Sequence, residues 1–275
     1  MRSTEEGKMQ GTTEQDQKKG TVDLILFAGQ SNMSGRGEKE NAVFCPPEAG
    51  FEYRPVSQPG ILLPVREPFG LGEDRAGGLD DRTDGGTRRS GSMVSAAVAE
   101  YFRNTGRKAV AVSASKGGTE TGQWLNGLLA DALERLELTR QFLEDTGWET
   151  GHRFLVWCQG ETDADHCVST ENYIRRTEKI MDAFFSHGIQ CCFLVQTGHY
   201  HGEYDTTEAE RMERERQYER IRNAQLTLCR EQKRIILAAS FEPYLQEMKD
   251  AFHYYQTVYN QVGETVGKAM AANIR

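Results

Sequence analysis

Residues 22–28, Val22-Asp23-Leu24-Ile25-Leu26-Phe27-Ala28, run directly into Gly29-Gln30-Ser31-Asn32-Met33-Ser34-Gly35. The apolar part is too short for a core helix, and it is continuous rather than alternating. That is the pattern of a parallel strand covered on both faces. Four more runs of this kind follow, at residues 109–112, 154–158, 191–195 and 235–239. Between them lie stretches of helical period. Met93, Val94, Ala97, Val98 and Tyr101 form one stripe, ending before Gly106, and Leu128, Leu129, Ala132, Leu133 and Leu136 form another. Asp205 with Glu208 reads as a capping box opening a charged helix toward Cys229. Beyond His253, Val258, Val262 and Val266 recur every four residues and mark a terminal helix. Strands alternating with helices predict an α/β protein: a three-layer α/β/α sandwich around a mainly parallel, five-stranded sheet, in one domain over residues 21–275.

The 275 residues carry 33 Lys and Arg against 41 Asp and Glu, a net charge of −8. Binding to nucleic acid needs clustered basic residues in excess, so that class is excluded. With 37% hydrophobic residues and 28 glycines the composition is that of a globular protein. Residues 1–20 are almost wholly polar and read as a loose tail without the apolar centre of a signal peptide. No run approaches the roughly 18 apolar residues that span a bilayer. The six cysteines show no CxxC spacing and read as reduced structural thiols. Together these features point to a cytoplasmic protein that binds neither nucleic acid nor membrane.

Residues 38–91 break the alternation. They offer no convincing strand or helix, and six of the seven prolines fall between Pro46 and Pro68. A long loop in a compact domain is usually functional. The expectation is that it walls the active site; the alternative is a surface excursion.

Ligand sites in open α/β sheets gather beyond the carboxyl ends of the strands. After the first strand, Ser31 or Ser34 either projects a hydroxyl into that crevice or caps a helix. After the second comes Ser115-Lys116-Gly117-Gly118-Thr119, where paired glycines allow close backbone approach to a ligand. The GxxxxGK[ST] spacing of a phosphate loop is missing. After the third comes Gln159-Gly160-Glu161-Thr162-Asp163, with Gln159 able to donate to an oxyanion and the acids either orienting neighbours or solvated.

Of the six histidines, His253 stands in Asp250-Ala251-Phe252-His253. A tight turn with that spacing can aim a carboxylate at one ring nitrogen while the other faces a serine hydroxyl; a pair of unrelated surface residues is the alternative. The strand-end serine and the two donor loops favour the first. His199 and His201 form an HxH that, with Asp163, Asp165 and His166, is a rival metal site, although polar lining of a pocket suits them better.

These blocks resemble the SGNH hydrolases, and within them the sialate O-acetylesterases and related acetylxylan esterases. The resemblance rests on Gly29-Gln30-Ser31-Asn32-Met33 with Ser34-Gly35-Arg36-Gly37, on Gly117-Gly118-Thr119 with Trp124, on Trp157-Cys158-Gln159-Gly160-Glu161-Thr162-Asp163, and on Asp250-Ala251-Phe252-His253, in that order. It implies a flavodoxin-like SGNH hydrolase fold, a Ser31 nucleophile, a His253 base and an Asp250 orienting acid. It also implies an oxyanion hole from the Ser31 N–H, a glycine of the Gly117-Gly118 pair with Gly118 preferred, and the Gln159 side chain. Gln30, Asn32 and Glu161 join the site as oxyanion or substrate-binding residues, Glu161 as a support or partial substitute for Asp250. No metal or organic cofactor is called for.

The function expected is a serine carboxylic ester hydrolase that removes O-acetyl groups from carbohydrates, such as acetylated plant xylo-oligosaccharides. The same chemistry on sialic acid, and a non-catalytic carbohydrate-binding protein on an esterase scaffold, are the alternatives. The acidic balance favours a neutral sugar, because a sialic acid would need local basic residues such as Lys116 or Arg36.

Overall fold

The computed structural model describes residues 19–202 and 207–274. The reading of residues 1–18 as a tail, and the capping role of Asp205, fall outside them; Gly20 already opens the first strand. In chain order, β1 (Gly20–Gly29) leads into a single turn, α1 (Ser31–Ser34). There follow β2 (Gly50–Arg54), β3 (Gln58–Pro64) and a small hairpin, β4 (Arg82–Thr83) with β5 (Gly86–Thr87). The alternating part comprises α2 (Val94–Thr105), β6 (Ala109–Ser115), α3 (Thr121–Gln123), α4 (Leu129–Asp145), β7 (Trp148–Cys158), α5 (Glu161–Asp165) and α6 (Thr170–Ser186). It closes with β8 (Cys191–Gln196), α7 (Glu208–Glu231), β9 (Ile235–Ser240) and α8 (Gln256–Ala272).

The main sheet has seven strands in the order β3-β2-β6-β1-β7-β8-β9. The five apolar runs are its parallel centre and one side, as expected. The correction is at the other side, where residues 38–91 contribute β2, parallel to β6, and β3, antiparallel to β2. These residues are therefore not one structureless loop.

Successive side chains of a strand point to opposite faces, and β1 divides accordingly. Ile25 and Phe27 face one core with α2 and α8, through Val94, Ala97, Tyr101, Val262 and Val266. Leu24, Leu26 and Ala28 face the other with α4, α6 and α7, through Ala132, Leu136, Phe184 and Ile221. Both layers are fully dry at these positions, so each apolar run is buried on both sides. Helix α7 is capped by Thr207, whose hydroxyl accepts from the Glu210 N–H while the Glu210 carboxylate takes the Thr207 N–H, two residues later than the sequence spacing suggests. Among the described residues no helix is long and apolar enough to cross a membrane. All six cysteines are free thiols.

Candidate active site

The parallel strands end on one edge of the sheet, and four strand-end segments meet there. Gly29 closes β1 at φ +142°, and a Cβ at this position would lie 1.9 Å from the Cys158 carbonyl oxygen. Only glycine lets the chain pass so close to β7. The Gln30 N–H then donates to that same carbonyl at 2.9 Å, which fixes the start of the α1 turn. Ser34 turns back and donates its hydroxyl to the Gln30 carbonyl. Ser31 instead lies on the wall of a cavity of about 240 Å³.

The segment between β9 and α8 supplies the facing wall. The Asp250 carboxylate accepts the N–H groups of Phe252 and His253, each at 2.9 Å, and the Lys249 N–H closes the turn on the His253 carbonyl. The same carboxylate lies 2.9 Å from His253 Nδ1 through both oxygens. His253 Nε2 lies 2.9 Å from Ser31 Oγ. Burial pushes the Asp250 carboxyl up, but the His253 ring and the two backbone donors outweigh it and hold the pKa at about 2. The carboxylate is therefore ionised throughout the neutral range and favours the tautomer with a proton on Nδ1. That leaves Nε2 as a proton acceptor for the serine.

Opposite, the β6 end brings Gly117 and Gly118 to the cavity. Gly118 has φ +67°, and a Cβ there would meet nothing within 4 Å. The Gly117 N–H donates to the Asp81 carboxylate at 2.8 Å, whereas among the described residues the Gly118 N–H has no protein acceptor. Ser31, as the first residue of its turn, likewise has no intrahelical acceptor for its N–H.

A hydroxyl, an imidazole and a carboxylate in one line, beside unengaged backbone donors, can perform acyl transfer. The family of carbohydrate esterases described as sialic acid-specific acetylesterases matches residues 21–272. The chain belongs to this family. This carbohydrate esterase is thus a carboxylic ester hydrolase of the SGNH type. Its fold is shared by a protein from Arabidopsis thaliana, at 18% identity and a TM-score of 0.64, over 92% of this chain and 99% of that one. It is also shared by a carbohydrate acetylesterase from Sinorhizobium meliloti, at 8% identity and a TM-score of 0.50, over 92% and 100% of the two chains. Among curated protein sequences no relative matches.

Other residues of the carbohydrate esterase lie differently from expectation. Gln159 is fully buried, and its amide nitrogen donates to the Thr119 carbonyl at 3.0 Å and to the Asp163 carboxylate. Both amide hydrogens are committed to the core, so none is left for an oxyanion. The glutamine that does line the cavity is Gln30. Its Oε1 is oriented by the Thr162 N–H at 3.3 Å and, more weakly, the Gly160 N–H at 3.5 Å. This leaves Gln30 Nε2 without a protein acceptor among the described residues.

Asn32 is not a wall residue but a brace. Its Nδ2 donates to Glu161 Oε1 at 2.5 Å and to the Phe252 carbonyl at 3.2 Å, and its Oδ1 accepts from the Tyr259 hydroxyl at 2.6 Å. It ties the Ser31 turn to the His253 segment. Glu161 lines the cavity with its Oε2 buried and unpartnered. Burial raises its pKa against the Asn32 hydrogen bond. Trp124 is fully buried against Trp157 and lies away from the cavity. His199 is paired with Glu215 at 2.7 Å and Asp163 with Thr121 at 2.6 Å; among the described residues no group of His, Cys, Asp or Glu is arranged to hold a metal ion.

Sequence reading missed Arg88 as a wall residue; it named Arg36 only as a basic group for an acidic sugar and Asp165 only in the rival metal site. Arg36 stands inside a motif block and Asp165 two residues beyond one. Arg88 stands near the end of residues 38–91 with no motif around it.

Proposed function

We propose that this carbohydrate esterase removes O-acetyl groups from carbohydrates through an acetyl-enzyme on Ser31. The observation that carries the reading is the line of three groups, Asp250 to His253 to Ser31, with 2.9 Å at each link. His253 Nε2 takes the Ser31 proton as Oγ bonds to the acetyl carbonyl carbon. The resulting oxyanion is stabilised by the N–H groups of Ser31 and Gly118 and by the Gln30 amide. When the tetrahedral intermediate collapses, His253 returns the proton to the departing sugar hydroxyl. Water, deprotonated by the same imidazole, then attacks the acetyl-enzyme, releasing acetate and restoring Ser31. Asp250 stabilises the imidazolium that forms in each half.

A cavity of about 240 Å³ suits a short acyl group. For the sugar, neutral acetylated oligosaccharides such as xylo-oligosaccharides remain the leading proposal, because the two basic residues that the sequence offered to an acidic sugar are occupied. Arg36 is paired with Asp81, and the Lys116 ammonium donates to the Gly78 carbonyl. One observation favours a second reading, an acidic O-acetylated sugar such as a sialic acid: Arg88 is an exposed wall residue with no ion-pair partner among the described residues.

The test is acetate release from acetylated xylo-, manno- and sialo-oligosaccharides, with Ser31→Ala as the blank. Release from at least one class, lost in Ser31→Ala together with labelling by a fluorophosphonate, is expected. Turnover that survives in Ser31→Ala would exclude the serine mechanism. No turnover of any acetyl ester, a simple chromogenic acetate included, would leave a binding protein.

A further inference from the structure

We infer that Asp81 is a positioning residue of this site: it fixes Gly117 so that Gly118 presents the glycine N–H to the oxyanion, while Arg36 cancels its charge. The inference rests on the serine esterase reading above. Asp81 comes from residues 38–91, just ahead of β4, and is only 3% exposed. Its carboxylate accepts the Gly117 N–H at 2.8 Å, and Arg36 Nη2 donates to both its oxygens at 3.0 Å. Arg36 lies two residues beyond the α1 turn and donates through Nη1 to the Gly35 carbonyl at 2.8 Å. One carboxylate thus fastens together the turn that bears Ser31 and the loop that bears the glycine pair.

Asp81 is itself anchored from behind. Its N–H donates to the Asp74 carboxylate at 2.9 Å. Asp74 pairs with Arg89, whose fully buried guanidinium donates to the Ser115 carbonyl and the Ser115 hydroxyl, each at 2.9 Å. The chain of contacts therefore ends on β6, the strand from which the glycine loop springs. Buried charged hydrogen bonds of this kind are costly to break singly, so the arrangement resists being pulled out of line.

Two consequences concern the chemistry. With the Gly117 N–H held by Asp81, the next residue carries the free donor, and the left-handed conformation of Gly118 leaves its surroundings open. A Cβ on Gly117 would lie 2.7 Å from Arg36 Nη2 and 2.8 Å from the Asp81 carboxylate, so a side chain there would push against this ion pair. Second, a carboxylate hydrogen-bonded to the loop that bears the oxyanion donor opposes the developing charge unless neutralised. Arg36, whose Nη2 donates to both carboxylate oxygens, supplies that neutralisation.

The test uses the unaltered protein first. With ¹⁵N-glycine labelling, the amide signals are followed as a phosphonate forms its tetrahedral adduct on Ser31. The Gly118 amide proton is expected to move strongly and the Gly117 amide to stay near its starting shift; a shift at Gly117 with Gly118 unmoved would overturn the inference. Absence of any adduct would overturn the serine reading beneath it, and the inference with it. Asp81→Ala is expected to lower kcat on the order of 10²-fold, the effect of misplacing one oxyanion donor, with little change in KM. Asp81→Asn, whose amide oxygen still accepts from Gly117, should recover much of that loss. A folded Asp81→Ala protein with parental kcat per titrated active site would assign Asp81 a purely structural role; if it does not fold, the glycine signals decide.

Discussion

Gln30 and Gln159 carry the same amide at the ends of neighbouring strands, and their surroundings give them opposite work. Gln159 Nε2 supplies the buried Asp163 carboxylate with a donor, while Gln30 lines the cavity with its oxygen fixed by backbone N–H groups and its nitrogen without a protein acceptor among the described residues. Gln30→Glu keeps the shape and the acceptor but replaces the donor with an oxygen. It should therefore lower kcat about 10²-fold or more while the protein stays folded. Gln159→Ala should act mainly on stability, by about 1–3 kcal/mol, because it removes a partner from a buried polar group. Parallel kcat and Tm measurements decide, and the reverse pattern would return the oxyanion role to Gln159. This is also where legibility ended. A DxxH turn is a local pattern that brought out Asp250 and His253, and a serine after a strand narrowed the hydroxyl to Ser31 or Ser34, between which the family resemblance chose. Which glutamine faces the cavity depends on Thr119, Asp163 and Thr162, which are brought together only by the sheet.

Among the elements, helices α2, α4 and α8 were legible from their stripes, since helical period is a property of adjacent residues. The strands β2 and β3 were not, for two physical reasons. β3 contains Pro59, Gly60 and Pro64 and lies at the sheet edge, where proline is tolerated and exposure removes the apolar signal. β2 carries Glu52 at its centre, fully buried, with Arg54 Nε and Nη2 and the Gly70 N–H each donating at 2.8 Å. A charged residue there disguises a strand. β1 holds a similar group that its apolar neighbours outvote. Asp23 accepts from Arg107 Nε and Nη2 at 2.6 Å, from the Tyr101 hydroxyl at 2.7 Å and from the His152 N–H at 2.7 Å. Burial raises its pKa, but these donors outweigh it and the carboxyl ends below its ordinary value. Asp23→Ala strands the Tyr101 and His152 donors, a loss of about 3 kcal/mol by the usual range for such groups. Asp23 lies at the opposite end of β1 from Ser31, so kcat of the folded fraction should be unchanged. Denaturant melts with active-site titration would show it; a fall in kcat without a fall in stability would contradict this account.

At the scale of the molecule, the net charge of −8 and Arg88, which has no ion-pair partner among the described residues, pull in opposite directions on an anionic sugar. The two are separable by range. Repulsion from dispersed surface charges acts over distances that salt screens, about 8 Å at physiological ionic strength. A guanidinium in direct contact with a carboxylate is screened far less. If the second reading of the substrate holds, kcat/KM for an acetylated anionic glycan should rise as salt is raised from low to physiological strength. Arg88→Gln should lower it at every salt concentration while preserving the rise. A neutral acetylated xylo-oligosaccharide has no charge for either field to act on, so its kcat/KM should be flat with salt and indifferent to Arg88→Gln. The pair of salt profiles therefore chooses between the two sugars on physical grounds. An anionic glycan that is insensitive to Arg88→Gln would remove Arg88 from recognition and leave the neutral sugar as the substrate.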